Sequence, residues 1–294
     1  MHELVNVRTG KEIRFPSEID ELSPREYLFY LQLYLKQLSG EITDPHVIKR
    51  QLFTFLVDLK VSFRMQFYKR DTLQEIWSAL TQKIDLLDSF FDIEPHDDHL
   101  KYTMKIKSGI NLLPEWRHYK GPETMLTNLK WGDFVRCLDY MKQLQSAIDS
   151  EDLQQIQELS IEIFNVMYKP KNSHESGLFR RKIKYDLEFD AVVFHCITYF
   201  KYIYELITTI EIPYKGNEIP FYIIWEKDDE DDDSKSDMTE WDGILFMLAE
   251  SGTFGTAETV NNYNMWEILL YLYKQKFQTR EQRRKDKKDN HGTT

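Results

Sequence analysis

The chain has 294 residues, of which 41% are hydrophobic and 30% charged, so it has enough apolar mass for one large domain or two smaller ones. Its formal net charge of -11 disfavours simple binding to nucleic acid or to an anionic membrane, because long-range repulsion opposes the encounter. The two cysteines, Cys137 and Cys196, are too few for a disulfide framework, so we expect two buried thiols. We expect neither a signal peptide nor a membrane span, and therefore a cytoplasmic location.

The first segment, 1–91, is predicted to be a β-hairpin followed by a helical bundle. Residues 4–7 and 12–15 lie on either side of a glycine-containing turn, which is typical of a hairpin. A capping box of Ser23 and Glu26 marks the clearest helix start in the chain. Apolar residues at helical spacing predict three helices, over residues 24–39, 45–59 and 71–91. Each has one apolar stripe to bury, so the three can pack as a bundle.

The central segment, 92–227, is predicted to be helical with short strands. Alternating residues at 102–106 predict one strand, and 110–114 is a second candidate. A hairpin is predicted around 215–217, with residues 220–224 as its second strand. Helices are predicted over 130–148, over 150–167 with Ser150 as the cap, and over 189–210, which is apolar almost all round. The predicted fold class is mainly α, a multi-helix bundle with one or two small β-hairpins.

An acidic linker is predicted at 228–239, and it has a second interpretation. Five carboxylates match the ligand positions of an EF-hand calcium loop: Asp229, Asp231, Asp233, Asp237 and Glu240. Ser234, however, occupies the position where the sharp turn of that loop needs glycine. A disordered linker is therefore the favoured interpretation, and we expect no bound cofactor.

The sequence contains no motif for nucleophilic or metal catalysis. It has no GxSxG, phosphate-loop, HExxH or CxxC motif. His195 directly precedes Cys196, but adjacent side chains on a helix point in different directions and do not form a dyad. A polar stretch could hold Zn or Mn, but we predict it to be a solvated loop rather than a metal site: Glu94, His96, Asp97, Asp98 and His99. We therefore expect a protein without enzymatic activity.

The segment 240–279 is predicted to be a pair of helices joined by a glycine-marked corner. Gly252 is predicted to end the first helix and Thr256 to cap the next turn of helix. Asn264 and Glu267 are predicted to form a second capping box. The corner also contains a GxxG motif, as in KH domains, but it has no basic residue and capping accounts for it. Three aromatic residues are predicted to form an exposed edge that contacts a partner: Phe254, Tyr263 and Trp266.

The last segment, 280–294, is predicted to be a polar tail with a cluster of basic residues. Such a cluster can bind phosphates or an acidic partner, although Glu281, Asp286 and Asp289 dilute its charge. The favoured interpretation is a helix end that frays into a solvated tail, where cations suit the helix dipole.

Three parts of the chain carry a resemblance: residues 22–27, residues 111–114 with 121–134, and residues 247–255 with 264–273. Together they resemble uncharacterised proteins encoded in the tail-gene clusters of phages and prophages of the Bacteroidetes type. Those proteins look like tail assembly chaperones or minor tail components. The resemblance implies a role in virion assembly, and it assigns no catalytic or ligand-binding residue.

The resemblance leads us to expect a non-enzymatic, chaperone-like protein in phage tail assembly. Its partner would be a helical tail protein, such as the tape-measure protein, held by helix-in-groove contacts. A structural virion component, such as a connector or baseplate subunit, is one alternative. A nucleic-acid-associated protein that acts through the basic C-terminal tail is the other. No membrane partner is expected.

Overall fold

The computed structural model describes residues 1–5, 12–57, 78, 82–96, 99–171, 186–226 and 240–291. Most residues in these ranges are helical, and the paired strands are short and antiparallel, which agrees with the mainly α prediction. The α-helices are α1 (Pro24–Leu38), α2 (Pro45–Leu56), α3 (Trp131–Asp149), α4 (Leu153–Met167), α5 (Leu187–Thr209), α6 (Glu240–Glu250), α7 (Ala257–Asn262) and α8 (Met265–His291). None of them is both long and apolar enough to cross a membrane, within the ranges just given.

The strands are β1 (His2–Val5), β2 (Glu12–Phe15), β3 (Phe91–His96), β4 (His99–Met104), β5 (Glu115–Trp116), β6 (Tyr119–Lys120), β7 (Lys169–Pro170), β8 (Ile212–Tyr214) and β9 (Asn217–Ile219). Strands β1 and β2 pair with His2 opposite Phe15, which confirms the first predicted hairpin. Strands β8 and β9 pair around Lys215 and Gly216, which confirms a hairpin at the second predicted turn but with a different second strand. Short 3-10 helices cover Ile19–Glu21, Ile84–Phe90, Thr124–Leu126 and Phe221–Trp225.

The chain divides into two compact units, each with its own core. Unit 1 contains Met1–Trp116 and His174–His195, and unit 2 contains Arg117–Ser173 and Cys196–Thr294. The buried core of unit 1 includes Tyr30, Leu31, Leu52, Leu87 and Phe90. The buried core of unit 2 includes Trp131, Phe134, Phe164, Phe200 and Leu269. Both cysteines are buried in unit 2, as predicted.

The helix starts in unit 1 follow from local chemistry. The Ser23 side chain accepts a hydrogen bond from the Glu26 amide, and the Glu26 carboxylate accepts one from the Ser23 amide at 2.8 Å. Asp44 caps α2 by accepting a hydrogen bond from the His46 amide at 2.8 Å. Both predicted starts are therefore confirmed.

The structure corrects several predictions between residues 84 and 114. The described end of the predicted 71–91 helix is a 3-10 helix, Ile84–Phe90, that leads directly into β3. Strand β3 pairs with β4, so residues 94–96 and 99 of the predicted loop belong to paired strands. Residues 110–114 are not a strand, because the Asn111 side chain accepts a hydrogen bond from the Leu113 amide and makes a turn.

Three corrections concern the second half of the chain. Helix α4 is capped by Asp152, which accepts a hydrogen bond from the Gln155 amide at 3.0 Å, and not by the predicted Ser150. The predicted strand at 220–224 is a 3-10 helix, Phe221–Trp225, since the hairpin closes earlier, at Asn217–Ile219. The predicted tail at 280–294 is helical as far as His291, where α8 ends.

Candidate functional site

The predicted partner-contact edge is only partly exposed. The exposed fraction of Trp266 is 2%, and its indole Nε1 donates a hydrogen bond to the Met125 carbonyl oxygen at 2.9 Å. The prediction that Trp266 lies at the surface is therefore wrong, because the ring is packed and its polar atom has a partner. Phe254 and Tyr263 are half-buried, with ring centroids 5.0 Å apart in an edge-to-face arrangement. Their role as partner contacts stays a prediction.

The predicted calcium ligands fall almost entirely outside the described residues. Helix α6 begins at one of them, Glu240, and the others are Asp229, Asp231, Asp233 and Asp237. Elsewhere, Glu94 and His96 belong to β3 and His99 to β4. Among the residues that the structure describes, no group of three or more His, Cys, Asp and Glu side chains is arranged to hold a metal ion.

Helix α6 presents an exposed stripe with an apolar centre. Its exposed residues include Gly243, Phe246, Met247 and Glu250, and this spacing places them on one face of the helix. The exposed fractions are 59% for Phe246 and 48% for Met247. Leu248, in contrast, is fully buried. The sequence pattern alone did not distinguish these two sides, because α6 is apolar on both.

A cleft of about 760 Å³ lies in unit 2 at the start of α3. Its walls come from the end of β6, the first turns of α3, the end of α4, β7 and the end of α7. Cavities that bind small molecules usually measure roughly 300–1,000 Å³, so this cleft has a suitable size. Apolar side chains form part of its lining: Pro122, Leu129, Val135, Val166, Met167 and Leu245.

Positive charge dominates the polar part of the cleft. The charged residues that line it are four cations and one carboxylate: Lys120, Lys130, Arg136, Lys169 and Asp133. The Asp133 side chain is 11% exposed and accepts a hydrogen bond from Arg136 Nη2. Lys169 Nζ lies 3.7 Å from the same carboxylate oxygen of Asp133. A single carboxylate is thus shared by two of the cations.

The other two lysines have weaker electrostatic partners. Lys130 Nζ donates a hydrogen bond to Asn262 Oδ1 at 2.8 Å, and this amide oxygen carries no formal charge. Lys120 Nζ lies 3.8 Å from Glu123 Oε1, in a pair whose two side chains are both exposed. Even with Glu123 counted, four cations face two carboxylates. The cleft is therefore cationic in a chain whose net charge is -11.

Burial affects the titration of two groups beside the cleft. Burial lowers the pKa of the Lys169 ammonium, the Asp133 carboxylate raises it, and the charge of Arg136 lowers it again. Burial raises the pKa of the Cys137 thiol to about 12. Because the thiolate is the nucleophilic form, Cys137 is not a candidate nucleophile.

A backbone bridge holds the segment before α3 against the junction of α7 and α8. The Trp131 amide donates a hydrogen bond to the Tyr263 carbonyl oxygen at 2.8 Å. The Met265 amide donates one to the Leu129 carbonyl oxygen at 3.0 Å. The start of α3 is thereby fixed by main-chain bonds, which do not depend on the charged side chains of the cleft.

Two side-chain features complete this junction. Asn264 Nδ2 donates a hydrogen bond to the Thr127 carbonyl oxygen, and Asn264 Oδ1 accepts one from the Trp266 amide at 2.9 Å. The second bond confirms Asn264 as a cap of α8, whereas the part of Glu267 in the predicted capping box stays a prediction. Gly132 allows the close approach, since a Cβ atom at this position would lie 3.0 Å from Asn261.

His195 forms a different polar cluster, which is closed off in unit 1. Its ring is fully buried, with Nε2 at 2.9 Å from Asn111 Oδ1 and Nδ1 at 3.3 Å from the Tyr27 hydroxyl. Asn111 Oδ1 also accepts from the Leu113 amide, so His195 Nε2 carries the hydrogen and Nδ1 accepts from Tyr27. Burial lowers the pKa of the imidazole to about 3, so the ring is neutral at physiological pH. This cluster stabilises the core.

Sequence motifs did not indicate the cleft. Its four cations belong to separate elements between residues 120 and 169, and no two of them form a known motif. Only the folded chain brings them to one cavity. Comparison of the chain with protein-family models, with curated proteins and with solved structures finds no match.

Proposed function

We propose that this chain is a non-enzymatic, cytoplasmic interaction protein of phage tail assembly, built on a multi-helix bundle. Its partner would be a helical tail protein, such as the tape-measure protein, bound by the exposed face of α6. The observation that carries this proposal is the joint exposure of Phe246 and Met247 on one helical stripe. The resemblance of residues 247–255 and 264–273 to tail-cluster proteins supplies the class of partner.

The spacing on α6 suits a helical partner. Residues at i, i+3, i+4 and i+7 share one face of a helix, and Gly243, Phe246, Met247 and Glu250 have this spacing, so a partner helix can pack along the stripe. Full burial of a large apolar side chain contributes about 1.5–3 kcal/mol. Phe246 and Met247 can therefore supply much of the energy of a reversible complex. Gly243 at one end of the stripe permits a close approach of the partner.

The test is a matched pair of substitutions, Phe246→Ser on α6 and Phe277→Ser on α8. Both remove an exposed phenylalanine, with exposed fractions of 59% and 45%. The chain is co-expressed with the tape-measure protein of its gene cluster, and the affinity of the purified pair is measured by calorimetry. Phe246→Ser should weaken binding at least about tenfold, because the lost burial exceeds about 1.4 kcal/mol. Phe277→Ser should leave the affinity within about twofold of wild type.

Two results would contradict the proposal. One is the absence of binding to the tape-measure protein and to every other protein of the tail cluster. The other is an equal loss of affinity in both variants, which would show that α6 is not the contact. Purified virions separate the chaperone from a structural component, since only a structural component remains in the finished particle.

A further inference from the structure

We propose that the cleft in unit 2 binds a phosphorylated small molecule. Lys130, Arg136 and Lys169 would hold the phosphate group. The apolar side chains of the cleft, such as Val135 and Met167, would contact the remainder of the ligand. This site is separate from the exposed stripe of α6, and it does not depend on the proposed tail partner.

The strongest support is an arrangement of like charges that an anion would relieve. Strands β6 and β7 pair with Lys120 directly opposite Lys169. Residues directly opposite in an antiparallel pair project to the same side, and like charges there are destabilising. The proximity of Arg136 further disfavours the charged form of Lys169. An anion between these side chains would convert this repulsion into attraction.

Among the residues that the structure describes, the carboxylates at the cleft do not balance its cations. Asp133 contacts both Arg136 and Lys169, so one negative charge is divided between two cations. Lys130 Nζ donates a hydrogen bond to Asn262 Oδ1, a neutral amide oxygen that does not balance its charge. A phosphate dianion matches the remaining excess of charge better than a single carboxylate does. The planar guanidinium of Arg136 also suits phosphate, because it donates hydrogen bonds in a fork.

The size and the lining of the cleft suit a ligand larger than an isolated ion. Its volume of about 760 Å³ is far larger than a phosphate requires, and its walls include apolar side chains beside the charged ones. The amides of Asn128, Asn261 and Asn262 lie on the same lining. Such mixed walls suit a ligand with an apolar or planar body and a few polar atoms, for which a mononucleotide is a suitable probe.

The first experiment compares three probes on the full chain by isothermal titration calorimetry. AMP carries both a phosphate and a planar body, inorganic phosphate carries only the anion, and adenosine carries only the body. AMP should bind more tightly than either fragment, and its affinity should fall as the salt concentration rises. If adenosine binds as tightly as AMP, the cations play no part and the proposal is wrong.

The second experiment uses charge reversals that change the net charge equally. Lys130→Glu removes a cation of the cleft, whereas Lys142→Glu changes an exposed residue on α3 that does not line it. Lys130→Glu should weaken AMP binding at least about tenfold, because a charge-assisted hydrogen bond is lost and a repulsion gained. Lys142→Glu should change it less than about threefold. If Lys130→Glu does not fold, Lys120→Glu takes its place.

Asp133→Asn should strengthen AMP binding, whereas Lys130→Glu should weaken it. This isosteric change removes the one carboxylate found in the described lining of the cleft, and it releases Arg136 and Lys169 for the ligand. AMP binding should become tighter by about threefold or more, which a purely structural role of Asp133 does not produce. Three results would overturn the proposal: no binding of AMP or inorganic phosphate, equal losses in Lys130→Glu and Lys142→Glu, or weaker binding by Asp133→Asn.

Discussion

The His195 cluster of unit 1 and the cationic cleft of unit 2 differ in the burial and the pairing of their polar side chains. His195 is fully buried, and both ring nitrogens have hydrogen-bond partners in Asn111 and Tyr27. In the cleft, Lys130 and Lys120 are exposed, and cations outnumber carboxylates around a large open volume. Both ring nitrogens of His195 therefore have partners within the protein, whereas the positive charge of the cleft exceeds the negative charge of the carboxylates described beside it.

This difference separates a stabilising cluster from a candidate binding site. A buried polar group without a partner is costly, so a closed and satisfied cluster contributes to folding. Like charges beside a cavity repel one another and do not help folding, which is consistent with the proposed role of the cleft in binding an anion. Substitutions in the cluster should therefore affect stability, whereas substitutions in the cleft should affect binding. Four predictions test this comparison, in order of decreasing effect.

Replacement of His195 by alanine should produce the largest effect. The change opens a cavity and leaves the buried Tyr27 hydroxyl and Asn111 amide short of one partner each. We expect a loss of about 3 kcal/mol in the free energy of unfolding, measured by urea denaturation. His46→Ala, at an exposed histidine on α2, should cost less than about 0.5 kcal/mol. Similar losses in the free energy of unfolding of the two variants would contradict a stabilising role of the His195 cluster.

Acidification should destabilise the protein through the same histidine. The pKa of His195 is lowered from 6.5 to about 3 by burial, so below pH 6.5 the unfolded chain binds a proton that the folded chain excludes. The contribution is fully present above pH 6.5 and is lost as the pH falls towards 3. Between pH 7 and pH 5 we expect a loss of about 2 kcal/mol.

The control for this pH effect is His195→Gln, which cannot titrate. Urea denaturation at both pH values should show that this variant lacks the loss seen in the wild type. The pH window also avoids the titration of Glu21. Glu21, whose pKa is lowered to about 2 mainly by its hydrogen bond with the amino terminus, begins to respond only below 4.5. An unchanged pH slope in His195→Gln would contradict the prediction.

Asn264→Ala should have an intermediate effect, since Asn264 lies in the junction that supports the cleft. The change removes the bond to the Thr127 carbonyl oxygen and the cap on the Trp266 amide. We expect a loss of roughly 1–2 kcal/mol in the free energy of unfolding. Glu267→Ala, at an exposed position in the first turn of α8, removes the side chain that a capping box would need and should cost no more than about 0.5 kcal/mol. Equal losses would instead support the complete capping box.

Lys130→Gln should have the smallest effect on stability. Its exposed ammonium contributes one hydrogen bond to Asn262 and stands among other cations. We expect the free energy of unfolding to change by less than about 0.5 kcal/mol. A loss above about 2 kcal/mol would place Lys130 with the stabilising residues, and the contrast with His195 would then disappear.

The predictions that succeeded rest on interactions between near neighbours in the chain. The Ser23–Glu26 capping box spans three residues, and Asp44 acts on His46, so both helix starts are visible in the sequence. The apolar pattern of α5 likewise predicts a buried helix. The predictions that failed depend on distant partners. Strand β3 exists because β4 pairs with it.

The burial and exposure of the candidate partner-contact residues also depend on distant parts of the chain. Tryptophan is common at protein interfaces, which favoured a surface position for Trp266. The ring is instead buried, and its indole nitrogen donates a hydrogen bond to the carbonyl oxygen of Met125, which is far away in the chain. Its burial could not be derived from residues 240–279. The exposure of Phe246 and Met247 was equally hidden, because α6 is apolar on both sides and only packing selects the buried one.

The sequence by itself determined the mainly α class, the first hairpin and the starts of α1 and α2, because each depends on spacing and hydrogen bonds within a few residues. Only the tertiary structure decided which charges meet. Lys120 and Lys169 become neighbours through the pairing of β6 with β7, and Lys130 joins them where α3 begins. Electrostatic interaction depends on distance in space and not on distance along the chain, so a cationic cleft can form in a chain of net charge -11.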